Sequence, residues 1–297
     1  MPSIKRQCPT GLQLEKSHTM KDISNFTSSF NINKTSTYSL SIQISQRGYT
    51  YCILDSFSKE YVAIKHVGYG VELNDATLYD KIKDNLAADA FLSKSYKSVD
   101  MIYVTRKSVI VPNPMFDKTK LKDLVGANFA ISDKEEIQFN KLKSISACNV
   151  FVIPSYITTL MVNTFPEINF YHEATPLIEN LIKNCSEELT LSANFYYDFM
   201  DIVVTENGKV QLYNTFAYQS PTDALFAISS VADKLKLGKK TKIVLSGYID
   251  KDSDVYKLIY KYNANVVFAQ LNPNISFPFT DIPEQTFFNM MTLPCVL

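Results

Sequence analysis

Asp198 and Asp201 lie three residues apart, near enough along the chain for two carboxylates to share a divalent cation. Arg47-Gly48 joins a cation to a residue that takes positive φ freely, which suits a turn that touches an anion. His172-Glu173 pairs an imidazole with a carboxylate, the parts of a general base. Each has a plainer account. Arg47-Gly48 reads as a hairpin turn, Asp198 and Asp201 as turn and sheet-rim acids, and His172-Glu173 as a polar strand end. Gly238-Lys239-Lys240-Thr241 imitates the end of a P-loop but lacks the upstream glycine and precedes a strand instead of following one. The three histidines (His18, His66, His172) have no metal-ligand spacing to a cysteine or an acid, so no metal site is expected. No G-x-S-x-G elbow is present.

Composition narrows the class. With 297 residues, 46% hydrophobic and 20% charged, the chain is an ordinary globular protein long enough for two medium domains. Thirty basic and thirty acidic residues cancel, which removes the simplest electrostatic case for nucleic acid or an anionic membrane. The lysines at 234, 236, 239, 240 and 242 sit at a helix end, where they favour the dipole, and no aromatics interleave them for base stacking. Five scattered cysteines without a C-x-x-C pair read as free thiols in a reducing compartment. No signal peptide or spanning segment is evident, so the expected location is the cytoplasm.

One local plan occurs twice along the chain. Residues 1–37 are polar and read as an arm, partly disordered or lying on the surface, with Phe26 and Phe30 hinting at a docked segment. Leu40, Ile42 and Ile44 then alternate with polar residues in a half-buried strand. Tyr49–Asp55 and Tyr61–His66 continue the meander, and a helix capped near Asn74 carries Leu78, Ile82 and Leu86 on one face. Strands at Val99–Val104, Ser108–Val111, Val150–Ile153 and Ile168–Tyr171 follow, with helices from Pro154 to Phe165 and from Pro176. After Asn184–Glu188 the plan restarts: Leu189–Tyr197, Asp198–Thr205 and Val210–Tyr218 are three strands, the last two joined by Asn207-Gly208. Ser220-Pro221-Thr222-Asp223 opens a helix that Gly238 is expected to end. Lys242–Leu245 and Asn265–Phe268 read as strands around an Asp254–Tyr262 helix, and Phe287–Leu293 as a final edge strand.

A strand-strand-strand-helix unit used twice is the plan of an actin-like (RNase H-like) fold: α/β with mixed sheets, two lobes and duplicated βββαβαβ units. The expected divisions are an arm over 1–37, a first lobe over 38–186 and a second over 187–297. The residues also resemble an uncharacterised bacterial family, domain of unknown function 3822. The matching pieces are Leu40-x-Ile42-x-Ile44 with Gly48-Tyr49, Val111-Pro112-x-x-Met115-Phe116-Asp117, Asn214-Thr215-Phe216-x-Tyr218 with Asp223, and the lone Gly247. The resemblance runs from Tyr38 to the end. It implies a two-lobed actin-like fold nearer the pilus-assembly protein PilM than to kinases, and no established activity.

An active actin-like ATPase ends its first strand in an Asp that holds hydrated Mg²⁺ beside a glycine-bearing hairpin. This chain has Gln43-Ile44-Ser45-Gln46-Arg47-Gly48 there, with no carboxylate. The second loop, Ser192 to Asp198, has neutral Asn194 and sets Phe195, Tyr196 and Tyr197 where small residues let phosphates approach. The adenosine glycines reduce to Gly247 alone. Triphosphate and metal bring charge that a carboxylate-poor site anchors badly. The leading expectation is therefore a non-catalytic protein without cofactor that binds another protein. Its binding surface is the inter-lobe cleft at Arg47, Gly48, Asn194, Phe195, Tyr196, Asp198 and Gly247, although Phe195 to Tyr197 equally fit a strand alternating between core and rim. The alternatives are a divergent ATP-binding protein or phosphotransferase using Asp198 or Asp201, and a self-assembling chain, such as a homodimer, pairing edges through Phe287, Phe288, Met290 and Met291.

Overall fold

The computed structural model describes residues 20–184, 187–238 and 240–296. A short strand β1 (Ile23–Phe26) precedes the meander β2 (Tyr38–Ser45), β3 (Gly48–Asp55) and β4 (Glu60–Gly68), then helix α1 (Asp75–Ala88) and β5 (Ser98–Tyr103). An insertion follows: β6 (Ser108–Pro112), α2 (Leu121–Gly126), β7 (Glu135–Leu142) and β8 (Ala147–Pro154). Helix α3 (Ser155–Thr164) leads to β9 (Ile168–His172) and α4 (Ala174–Lys183). The second half comprises β10 (Thr190–Phe195), β11 (Phe199–Glu206), β12 (Lys209–Ala217), α5 (Pro221–Lys234), β13 (Lys242–Gly247), α6 (Asp254–Tyr262), β14 (Val266–Phe268) and α7 (Phe288–Val296).

The duplication is explicit in the sheets. One runs β1-β4-β3-β2-β5-β9 and the other β12-β11-β10-β13-β14, so β4-β3-β2-β5-β9 repeats strand for strand. In each, the first strand of the unit pairs antiparallel with the second and parallel with the strand after the helix. Even the bulge recurs: β4 skips Val62 between its pairings with Leu54 and Ile53, and β12 skips Gln211 between its pairings with Thr205 and Val204. A bulge bends and twists a hairpin, so both meanders curl alike over their helices. The architecture is the mixed α/β, two-lobed one expected of an actin-like chain.

Local chemistry explains the element ends. Asn207 and Gly208 both have positive φ, 50° and 70°, as a two-residue hairpin requires. Ser220 and Asp223 close a capping box on α5, with Pro221 in its first turn. Asn74 accepts from the Thr77 N–H at 3.0 Å and caps α1, whose Leu78, Ile82 and Leu86 are buried.

The docked segment that Phe26 and Phe30 hint at is present: β1 lies antiparallel on β4, and Phe26 and Phe30 pack on Phe91 with centroids 4.8 and 5.1 Å away. Residues before 20 lie outside the described residues. Other expectations are corrected. The expected final edge strand is the buried helix α7: Phe288, Met290, Met291 and Leu293 are buried, so no strand edge exists there for self-pairing. A continuous apolar run cannot by itself distinguish a buried strand from a buried helix. Gly238 does not end α5; the helix stops at Lys234, with Lys236 at φ 55° and the Leu237 N–H donating back to Ala232 at 2.8 Å. Sequence reading missed α2 and β7; the latter pairs only with β8 in a small sheet ordered β6-β8-β7. Cys52, Cys148 and Cys295 are free thiols; Cys8 and Cys185, like His18 and Lys239, lie outside the described residues.

Candidate functional site

The β2–β3 and β10–β11 hairpins face each other across the two halves, and the cleft between them is the site. The ends of β2 and β10 carry Gln43, Ser45 and Asn194, none of them ionisable. Gln43 Nε2 donates to the Tyr248 hydroxyl at 3.3 Å. Asn194 Oδ1 accepts from the Ser246 hydroxyl at 2.8 Å, so its side chain is spent inside the second sheet. Both amides tie strand ends together.

Rings fill the space between them. Tyr248 packs on Tyr197 with centroids 4.7 Å apart, meets Tyr196 edge-on at 6.3 Å and Phe287 at 6.2 Å. Tyr196 stacks on Phe199 at 4.7 Å. The cavity left deep between Gln43, Asn194, Gly247 and Tyr248 is about 10 Å³. That is the size at which a single water fits.

Gly247 sits at φ 83°, paired with Phe195, and its N–H donates to the Gln285 carbonyl at 2.7 Å. Phe195 is 1% exposed and belongs to the core under α5 and α6 with Ile228 and Ile259. Of the expected cleft residues, Asn194, Phe195, Tyr196 and Gly247 are thus buried, and Gly48 packs against His66 and Val67. Arg47 and Asp198 line the open part of the cleft.

That open part has a volume of about 330 Å³, at the bottom of the roughly 300–1,000 Å³ range of small-molecule sites. Its charges largely answer one another. Arg47 pairs with Glu72 at 3.6 Å and lies 5.9 Å from the centre of the Tyr197 ring. Lys107 pairs with Glu135 at 2.7 Å, and Asp75 accepts from the Tyr156 hydroxyl at 3.0 Å. Exposed Arg106 and half-buried Asp198 line the same cleft outside these pairs. Sequence reading missed Arg106, Lys107 and Glu135, because they flank the inserted β6 and β7, far in sequence from either hairpin. Tyr248 was missed as well, although its place beside the strand-end Gly247 is a signal that could have found it.

Asp201 is not a rim acid. It is 0% exposed on β11, where Oδ1 accepts from Thr215 at 2.5 Å and Tyr213 at 3.2 Å, while Oδ2 has no partner. Burial pushes its carboxyl up to about 7, against the lowering by those two hydroxyls. Asp198 is at the turn and Asp201 inside the sheet, so the two do not converge on a cation. Among the described residues no cluster of three His, Cys, Asp or Glu could hold a metal.

His172-Glu173 is likewise no exposed strand end. Both are 0% exposed; the Glu173 carboxylate accepts from the Thr105 N–H at 3.2 Å, and His172 Nε2 lies 2.8 Å from the Thr105 carbonyl. Burial, with Asp201 nearby, holds Glu173 well above the usual carboxylate range, and burial lowers His172 to about 3. The Asn289 amide joins the Glu173 carbonyl at 3.3 Å to the Tyr196 hydroxyl at 3.0 Å. These bonds tie the start of α4 to Thr105, to α7 and to Tyr196, with His172, Glu173 and Asn289 buried beneath the cleft.

Known structures share this architecture. A Bacteroides thetaiotaomicron VPI-5482 protein with an actin-like ATPase fold and unknown function superposes with TM-score 0.74 at 22% identity, covering 89% of this chain and 98% of that one. PilM, solved in the PilM-PilN type IV pilus biogenesis complex, superposes with TM-score 0.51 at 11% identity over 87% of this chain and 98% of its own. At these identities the likeness shows the fold alone. No curated protein matches the sequence. The family profile described as protein of unknown function DUF3822 matches residues 27–266, most of the chain, and the chain therefore belongs to that family.

Proposed function

We propose that this protein is a non-catalytic actin-like protein that works by binding another protein. The observation that carries the reading is the ring packing of Tyr196, Tyr248 and Phe287, which leaves about 10 Å³ in the deep part of the cleft beside Gln43 and Asn194. Phosphates in that place would have to displace rings, and Gln43, Ser45 and Asn194 offer no carboxylate for the accompanying metal. Arg47 and Tyr197 at the cleft mouth suit protein contact, because both types bury large area at interfaces. PilM, of the same fold, was solved with a protein partner, PilN. Among the described residues no helix is long and apolar enough to cross a membrane. With the three free cysteines, this favours the cytoplasm. Isothermal titration with ATP and Mg²⁺ tests the reading: no binding is expected up to millimolar nucleotide, and a micromolar dissociation constant would overturn it.

A second reading keeps nucleotide chemistry in the open 330 Å³ of the cleft, where Arg106 and Asp198 stand outside the ion pairs. It requires an ATPase rate that Asp198→Asn abolishes. Absence of any such rate disposes of it.

A further inference from the structure

The two halves differ at one equivalent edge. In the first sheet the outer side of β4 is covered: β1 pairs antiparallel with Ala63–His66, Thr27 donates to the Val62 carbonyl at 2.9 Å, and Ser276 bridges Glu60. Counting from the shared hairpin and bulge, Ala63–His66 correspond to Leu212–Thr215 of β12, and Val62 to Gln211. Yet β12 is the last strand of its sheet. Beyond it lies a groove of about 910 Å³ whose far wall is β6, itself the last strand of the small sheet. Val109, Ile110, Phe129, Ile145, Val210 and Leu212 make its apolar lining, and among the described residues Lys209 is the one charged side chain in it.

From this we infer that the β12 edge is a docking site for an extended segment of a partner protein, added antiparallel to Leu212–Thr215 as β1 is added to β4. An edge strand presents unpaired N–H and C=O groups, and natural proteins cover or charge such edges. Strand addition supplies main-chain hydrogen bonds, with pockets for alternate side chains. Nine-residue β12 carries no charge after Lys209 and no proline. The fitting segment has apolar residues at alternate positions, no proline, and neutral or acidic character to match Lys209. A second copy of the chain fits less well. A second copy pairing through its own β12 would have to bring its own β6 wall, with Ser108 against the Tyr213 hydroxyl, into the same groove. The site is separate from the cleft, so a nucleotide found there would leave it untouched.

The probe is a phage-displayed library of random octapeptides selected on the full-length protein. Enriched peptides are expected to alternate apolar residues and to slow amide exchange in Lys209–Ala217 and Ser108–Pro112. They should bind Gln211→Pro, which disrupts the edge backbone, at least tenfold more weakly. Ile110→Lys, which charges the opposite wall, should weaken them likewise; either variant with native circular dichroism suffices. No enrichment, protection elsewhere, or full binding to the folded variants overturns the inference. A dimer in light scattering that Gln211→Pro converts to monomer would give the edge to a second copy and also overturn it.

Discussion

A methyl group on Gly247 would fall 2.1 Å from the Phe195 carbonyl oxygen. The two residues are cross-strand partners, and the Tyr248 N–H donates to that same oxygen at 2.8 Å. Glycine is thus the steric condition for closing the β10 hairpin against β13 and for presenting the Tyr248 ring to the cleft. Gly247→Ala is predicted to cost about 3 kcal/mol or more, because it adds a backbone clash to a left-handed φ. Urea unfolding measures it. A loss under about 1 kcal/mol would mean the strand shifts freely, and the steric argument fails.

How much of this was legible follows from what each residue reports. Leu40, Ile42 and Ile44, and the Asn207-Gly208 turn, carry local signals, so the meanders and their repetition could be read directly. The C-terminal Phe-Phe-Asn-Met-Met run carries only burial, which a strand and a helix both satisfy, and it was misassigned. β7 begins Glu-Glu and is mostly half-buried, so neither its period nor its apolarity marks it. In the site, the missing carboxylates were legible because they are a matter of residue type. The burial of Asp201 and Glu173 was not, since strand alternation does not say which face is covered, and it depends on Tyr213 and Thr215 of the neighbouring strand and on Asn289 from the far C-terminal helix.

Buried Asp201 gives a pH signature. Its folded value of about 7 exceeds the usual unfolded one, so the folded chain holds the extra proton. The stability it contributes is full below about pH 4 and is lost as pH rises toward about 7, on the order of a few kcal/mol. Asp201→Asn keeps an acceptor for Thr215 and Tyr213 and removes the titration. The variant is predicted to gain stability relative to the parent between pH 5 and pH 8, read from melting temperatures across that range. A constant difference at every pH would refute the assignment.

The two buried imidazoles act in the opposite direction. Burial lowers His66 to about 4 and His172 to about 3, so each binds its proton more readily unfolded. Their contribution is complete above about pH 6.5 and disappears as pH falls toward those values. His66 hydrogen-bonds Thr50 through Nδ1 at 2.7 Å, while its buried Nε2 has no partner. His66→Gln is predicted to flatten the fall in stability between pH 6.5 and pH 4 without removing it, since His172 continues to titrate. An unaltered acid limb in denaturant midpoints would show that His66 is not part of it.

Tyr248 separates hydrogen bonding from packing in the cleft. Tyr248→Phe loses only the hydroxyl that accepts from Gln43 at 3.3 Å, and a cost of about 1 kcal/mol is expected. Tyr248→Ala also removes the ring that touches Tyr196, Tyr197 and Phe287, leaving a cavity between the halves at an expected cost of about 3–5 kcal/mol. If the rings are what excludes a nucleotide, the same truncation should open the space now reduced to about 10 Å³ without restoring ATP affinity, because Gln43 and Asn194 still offer no carboxylate to a metal. Denaturation gives the two costs, and titration with ATP and Mg²⁺ gives the affinity. Equal costs for Phe and Ala would show that the ring packs loosely. Micromolar ATP binding by Tyr248→Ala would show that steric filling alone closes the site, and that the lost acids are not needed to explain it.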